Sequence, residues 1–186
     1  MTQFLLQLDG QILLWIQDFL RNDVLTPFFV FVTSLGDSGF IWIAFTILLL
    51  LLPKTRKTGF MCACALIFSH LINHELIKNL ICRPRPFDNL PALTALIEKP
   101  SSFSFPSGHT ASSFTCAWVM FQKLPKKFGI PALVLAALIG FSRLYIGVHY
   151  PTDVLCGMIS GILMSCFAMW FVEKLSAKLA NRKSRA

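Results

Sequence analysis

Ser142-Arg143-Leu144-Tyr145-Ile146-Gly147-Val148-His149-Tyr150-Pro151-Thr152-Asp153 lies at the seam of two long apolar runs. Asp153 follows His149 by four residues, about one helical turn, so its carboxylate can hold the imidazole by one ring N–H. An imidazole backed by a carboxylate is an activated nucleophile or base. Arg143, six residues ahead of the histidine, offers a forked guanidinium that suits a bound phosphate. The same residues also admit a plainer reading, a helix-end salt bridge between Arg143 and Asp153 with His149 a bystander.

Two further polar clusters bear on that choice. Lys78 and Arg85-Pro86 are separated by six residues, and Pro106-Ser107-Gly108-His109 opens another apolar run. Ser107 can cap a helix there, Gly108 allows close backbone approach, and the free N–H groups of such a helix start attract an anion. Lys78, Arg85 and Arg143 together supply three positive charges, enough to neutralise a phosphate dianion and the charge that spreads over its equatorial oxygens during transfer. Two histidines, His109 and His149, remain for proton and bond chemistry. Carboxylates are too few for a two-metal phosphatase, which needs several clustered acids. The residues therefore point to phosphoryl transfer through a histidine, with no metal and no cofactor.

The elements that must position these groups are membrane spans. Apolar residues make up 55% of the 186 and charged ones 14%, and the apolar residues come in long unbroken runs. The reading is an all-α, polytopic integral membrane helical bundle in one domain over 1–186. It has about five to six membrane helices and an N-terminal interfacial helix. Confident spans are 38–52, 58–81, 107–122, 129–148 and 151–173, with a proline- and serine-rich loop at 82–106. Residues 2–22 alternate apolar and polar groups and carry Asp9 and Gly10, which suits a helix lying in the interface. Residues 25–35 are apolar but short, and Gly36-Asp37 interrupts them, so they either re-enter or extend the next span at a tilt. Ala132, Ala136 and Gly140, and Gly157 with Gly161, form small-residue faces for close packing.

Charge gives the topology. One set of loops and the tail collect Lys54, Arg56, Lys57, Lys123, Lys126, Lys127, Lys174, Lys178, Arg182, Lys183 and Arg185, with Glu173 the single acid; the other side holds the remaining basic residues and the other acids. The positive-inside rule places the first set, and the C-terminal tail, in the cytoplasm. All three polar clusters then meet at the extracytoplasmic face of a cell membrane. The net charge of +8 is thereby a topology signal and not a sign of nucleic-acid binding. The cysteines lie mostly in apolar runs and read as small buried hydrophobes. Cys62-x-Cys64 lacks the second pair that a zinc site needs, and Cys82 and Cys156 fall near one membrane face, where a pairing stays open.

The three clusters, K-x6-R-P, P-S-G-H and S-R-x5-H-x3-D in this order, resemble the signature of the type-2 phosphatidic acid phosphatase superfamily, over a motif core of 78–153. The resemblance implies a helical bundle with its site near one membrane face. It implies that His149 is the nucleophile that forms a phosphohistidine, that Asp153 orients it, and that His109 protonates the leaving oxygen. It assigns Lys78, Arg85, Ser107, Gly108 and Arg143 to phosphate binding. The implied substrate is a lipid phosphate or diphosphate among membrane lipids, with undecaprenyl diphosphate favoured. Phosphatidylglycerol phosphate and phosphatidic acid are the alternatives, as is a non-catalytic lipid-phosphate transporter or binding protein. Activity should follow a bell-shaped pH profile, with His149 neutral and His109 protonated.

Three features lie beside the signature. Lysine spacing selects Arg85, so Arg83 is offset and meets substrate, lipid headgroups or solvent. His70, His74 and Lys78 fall on one helical face with Glu75 adjacent. The preferred reading is a network from His74 and Glu75 that orients Lys78, because a metal site would want further ligands. Phe87, Leu90, Leu93, Leu96 and Ile97 stud the 82–106 loop and either dip into the interface as a side entrance for a lipid or pack on the loop itself.

Overall fold

A computed structural model describes residues 2–183, and among the described residues every regular element is helical. Helix α1 (Thr2–Trp15) runs into a π-turn at Ile16–Leu20. The carboxamide oxygen of Asn22 then accepts from the N–H groups of Val24 and Leu25, which satisfies free donors at the start of α2 (Leu25–Ser34). The chain bends by 48° between α2 and α3 (Phe40–Leu51), so residues 25–51 form one broken apolar pair. Glycine permits the break, because Gly39 sits in the left-handed region at φ 71°.

Pro53 stops α3, and the hydroxyl of Thr55 and the Nε of Arg56 donate to the carbonyls of Leu49 and Leu50 at its end. Helix α4 (Arg56–Ser69) returns beside α3, continues through a π-turn at His70–Ile77, and finishes as α5 (Lys78–Ile81). A short α6 (Pro86–Asn89) lies in the connecting segment, followed by α7 (Gly108–Lys123), α8 (Lys126–Tyr145) and α9 (Pro151–Lys183). Three stretches, Arg56–Asn89, Lys126–Tyr145 and Pro151–Asn181, are each long and apolar enough to cross a membrane, and the bent pair makes a fourth. The expected tail is a continuation of α9, except that Arg185 lies outside the described residues.

Small residues set how close the helices come. A Cβ on Gly157 would fall 2.7 Å from the carbonyl oxygen of Ser107, and one on Gly161 would fall 2.5 Å from that of Ala111. Backbone therefore lies on backbone where α9 crosses α7, and the N–H of Ser107 donates to the carbonyl of Asp153 at 3.1 Å. Replacing Gly161 by alanine is expected to wedge these helices apart at a cost of about 1–3 kcal/mol. The thermal midpoint in detergent should fall, whereas Gly108→Ala, whose Cβ meets nothing within 4 Å, should leave it in place.

The main core gathers Trp42, Met61, Cys62, Cys116, Ala136, Ile139 and Val172 between α3, α4, α7, α8 and α9. Trp42 is fully buried and its indole N–H donates to Ser113 at 2.8 Å. Smaller clusters form where the connecting segment turns inward. Phe87, Leu96 and Ile97 pack on Phe29, Tyr145, Ile146 and Val148, and Leu90 and Leu93 pack with Leu13 and Tyr150. The apolar residues of 82–106 thus tie the N-terminal helix to the segment that carries His149. All six cysteines are free, Cys82 and Cys156 included.

Candidate active site

Tight local turns deliver the three clusters to one place. Lys78 begins the last turn after the π-turn, and its side chain is buried. Arg85 precedes Pro86, and its own N–H donates to the Asp88 carboxylate at 3.2 Å, so the short α6 holds it by both sides. The Arg85 guanidinium donates from Nε to the Ser102 carbonyl at 2.7 Å and from Nη1 to the Val148 carbonyl at 2.9 Å. Those bonds leave Nη1 3.4 Å from Nε2 of His149. Arg143, at the end of α8, donates from Nη1 to the Thr33 hydroxyl at 2.6 Å, while its buried Nε has no hydrogen-bond partner.

His149 lies on the link between α8 and α9 and is 2% exposed. Its Nδ1 sits 3.5 Å from Oδ2 of Asp153, and its Nε2 looks toward Arg85. The carboxylate on one nitrogen fixes the proton there and leaves the lone pair on the other. Burial pushes the imidazole down to about 3; Asp153 opposes the shift, and Arg143 and Arg85 add to it. The ring is therefore neutral at any working pH. Asp153, fully buried, accepts from the Tyr150 N–H at 2.9 Å, from the Ser104 hydroxyl and from Arg83 Nη1 at 2.6 Å.

The plainer reading of Arg143 and Asp153 does not hold, because these two residues make no salt bridge. Arg143 is held by α2 through Thr33, and the cation on Asp153 is Arg83. Nor is Arg83 turned to solvent, a headgroup or the cavity. Its side chain is 14% exposed, stacks with Cζ 3.9 Å over the Tyr150 ring, and pairs through Nη2 with Asp9 at 2.7 Å. Asp9 also accepts from the Thr152 N–H at 3.0 Å and from the Thr152 hydroxyl. The N-terminal helix thus reaches the carboxylate behind His149 through a buried run Asp9, Arg83, Asp153.

His109, in the first turn of α7, points Nε2 at Oδ1 of Asp37, 2.9 Å away. A Cβ on Gly36 would fall 2.7 Å from the His109 ring, so glycine is what admits the imidazole beside the bend. Ser107 caps α7: its hydroxyl accepts from the Thr110 N–H at 3.4 Å and lies 2.8 Å from the Thr110 hydroxyl. It stands behind the cavity wall, whereas Gly108 opens onto the cavity.

That cavity, about 930 Å³, joins Lys78, Arg85, Gly108, His109, Arg143 and His149 at one end. Its other end runs between α3 and α4 along Ile43, Ile47, Leu50, Leu66 and Ile67, several of them exposed on the outer surface. A cationic head and an apolar groove open to the side match an amphiphile with an anionic headgroup. The Lys78 ammonium makes no side-chain hydrogen bond or ion pair among the described residues. The expected support from His74 and Glu75 is not made, because these two half-exposed side chains bond each other instead.

Asp9, Thr33, Asp37 and Ser104 had no sequence signal as site residues. Asp37 showed only as a charge that interrupts an apolar stretch.

Comparison with known proteins agrees with this geometry. Residues 58–177 match the family model described as PAP2 superfamily. The chain is 33% identical over 136 residues to an undecaprenyl-diphosphatase of Sulfolobus acidocaldarius, a match covering 73% of this chain and 65% of that protein, just under two thirds of its length. Among solved structures, LpxE of Aquifex aeolicus superposes with a TM-score of 0.76 at 29% identity, over 89% of this chain and 94% of that one. A transmembrane PAP2-type phosphatidylglycerolphosphate phosphatase of Bacillus subtilis superposes at 0.74 and 31% identity, over 90% and 86%. With the family model matching well over half its length, and the histidine, arginine and lysine clusters converging on one cavity, this chain belongs to the PAP2 superfamily.

Proposed function

We propose that this chain is a single-domain integral-membrane phosphatase that hydrolyses a lipid diphosphate or phosphate through a phosphohistidine. The observation that carries the reading is His149. Its Nε2 sits at the cationic head of the cavity with a carboxylate on Nδ1, an arrangement that anion binding alone does not need. The substrate phosphate is held by Lys78, Arg85 and Arg143, and the free Nε of Arg143 supplies a donor for one of its oxygens. The lone pair of Nε2 attacks phosphorus, the P–O bond to the leaving group breaks, and His109 gives its proton to the departing oxygen. Water then attacks the phosphohistidine, deprotonated by His109, to release phosphate and restore His149. Asp37 stabilises the protonated His109 between the steps.

The preferred substrate is a polyprenyl diphosphate such as undecaprenyl diphosphate. Likeness to the Sulfolobus undecaprenyl-diphosphatase and the long apolar groove support it. The likeness to the Bacillus phosphatidylglycerolphosphate phosphatase makes that lipid the second candidate. The basic loops support a site on the extracytoplasmic face with the C-terminus in the cytoplasm. The test is phosphate release from undecaprenyl diphosphate, phosphatidylglycerol phosphate and phosphatidic acid in detergent, with wild type and His149→Ala. Highest kcat/KM on the diphosphate supports the reading. Equal release by the variant would refute the nucleophile.

Two further outcomes follow. Activity should survive a strong chelator, and its complete loss would overturn metal-free chemistry. The acid limb of kcat/KM that belongs to His149 should lie near pH 3 to 4, since burial holds its pKa down at about 3. Sign and stability agree: below about pH 6.5 the unfolded chain takes up a proton that the folded ring refuses, so folding weakens as pH falls toward 3. After correction for ionisation of the substrate, a limb near 6.5 that vanishes in His149→Ala would contradict the buried neutral ring.

A further inference from the structure

The structure assigns a second site, for a borderline divalent transition-metal ion such as Zn²⁺, to His70, His74 and Glu75 on the wall of the same cavity. The argument starts from the helix. A π-turn bonds residue i to residue i+5 and brings those two residues onto one face, which a regular α-helix does not. Across His70–Ile77 it stacks the His70 and His74 rings at 5.0 Å between centroids and sets the Glu75 carboxylate beside both. Oε1 of Glu75 lies 3.3 Å from Nε2 of His70 and 3.2 Å from Nδ1 of His74. Metal bonds of about 2.0–2.1 Å in a tetrahedron place ligand atoms about 3.3 Å apart, so both separations suit one shared ion once the stacked rings tilt to aim their in-plane lone pairs at it. All three ligand atoms fall within 4.8 Å of one another. Two imidazoles and one carboxylate, with the fourth position open, is a donor set that zinc takes.

Location gives the second reason. The side chains are 61%, 50% and 56% exposed, yet their helix is one of those apolar enough to cross a membrane. His70 stands 14 residues after Arg56, about 21 Å along the axis, which is deep within such a span. Ionisable groups at that depth face a partner, an ion or a polar cavity, and a carboxylate left against hydrocarbon is costly. His70 and His74 line the cavity itself, and the side-chain hydrogen bonds and ion pairs of the three residues run to one another and not to Lys78, Arg85, Arg143 or His149. The site is therefore separate from the phosphate cluster and leaves the proposed chemistry metal-free.

The test reads metal binding and not turnover, so it stands or falls apart from the phosphatase reading. Untagged full-length protein in detergent is titrated with Co²⁺ and displaced with Zn²⁺. One ion per chain should bind, with the visible absorption of a nitrogen- and oxygen-ligated tetrahedral site. Binding should weaken at least about tenfold in each of His70→Ala, His74→Ala and Glu75→Gln. Because these side chains are exposed, thermal midpoints should stay near wild type and exclude misfolding. Absence of saturable binding would overturn the proposal. So would unchanged binding in the variants, or a thiolate-to-cobalt band, which would mark the exposed Cys82 or Cys166 as the ligand.

Discussion

His149→Ala is expected to lower turnover by more than about a thousandfold while leaving the folded protein and its lipid affinity in place. Removing the nucleophile of a cooperating set costs about as much as removing the set, and what remains comes from binding and charge stabilisation. The side chain makes no strong hydrogen bond on which the fold depends, since Arg85 keeps Ser102 and Val148 and Asp153 keeps Tyr150, Ser104 and Arg83. KM should change little, because Lys78, Arg85 and Arg143 are untouched. Rapid quench with labelled substrate should trap an acid-labile, base-stable phosphoprotein in wild type and none in the variant. Phosphate release within tenfold of wild type would show that another group attacks phosphorus.

Arg83→Ala is the second large effect, and it acts at a distance from the cavity. Arg83 is the shared cation of two buried carboxylates, Asp9 with 4% and Asp153 with 0% of the side chain exposed. Deleting it leaves both uncompensated, and breaking a buried pair in this way costs about 3–5 kcal/mol. Lysine should not restore it. One ammonium cannot bridge Asp9, Thr152 and Asp153 as the planar fork does, and it loses the stack on Tyr150. Asp9→Asn should do less, because it keeps the shape and one acceptor oxygen for the Thr152 N–H while removing one charge. If the run acts as a unit, the pair Asp9→Asn with Arg83→Gln should be milder than the sum of the singles, and the coupling is measured from the four thermal midpoints and the four kcat values. Strict additivity would show that Asp9 is only a structural anchor.

These residues also show what was legible beforehand. His149, Asp153, Lys78, Arg85 and Arg143 announce themselves because chemistry demands fixed types at short spacings, and spans announce themselves because hydrocarbon demands long apolar runs. Asp9 did not, since its partners lie 74 and 143 positions further along and no local pattern records such a pairing. Arg83 was ambiguous for the same reason: an arginine at the end of a span, just ahead of Pro84, reads as surface until the N-terminal helix is laid over it. Asp37 was seen as an interruption, and only the bend between α2 and α3 turns it toward His109. Ser107 was read both as the cap of α7 and as a phosphate ligand, and its hydroxyl makes the cap bond. His74 and Glu75 were expected to steady Lys78 by a spacing that assumes an α-helix. The π-turn changes that spacing and sends them elsewhere.

Helix α9 carries Asp153 in its first turn and runs 33 residues, about 50 Å, against a hydrocarbon core of about 30 Å. Its last turns therefore stand clear of the lipid as a rigid handle, remote from the reacting atoms. Helix α1 has no such slack, because Asp9 is bolted through Arg83 to the carboxylate behind His149. A surface tether on the last turns of α9 should leave phosphate release alone, whereas the same cargo on α1 would pull on the run of charges behind His149.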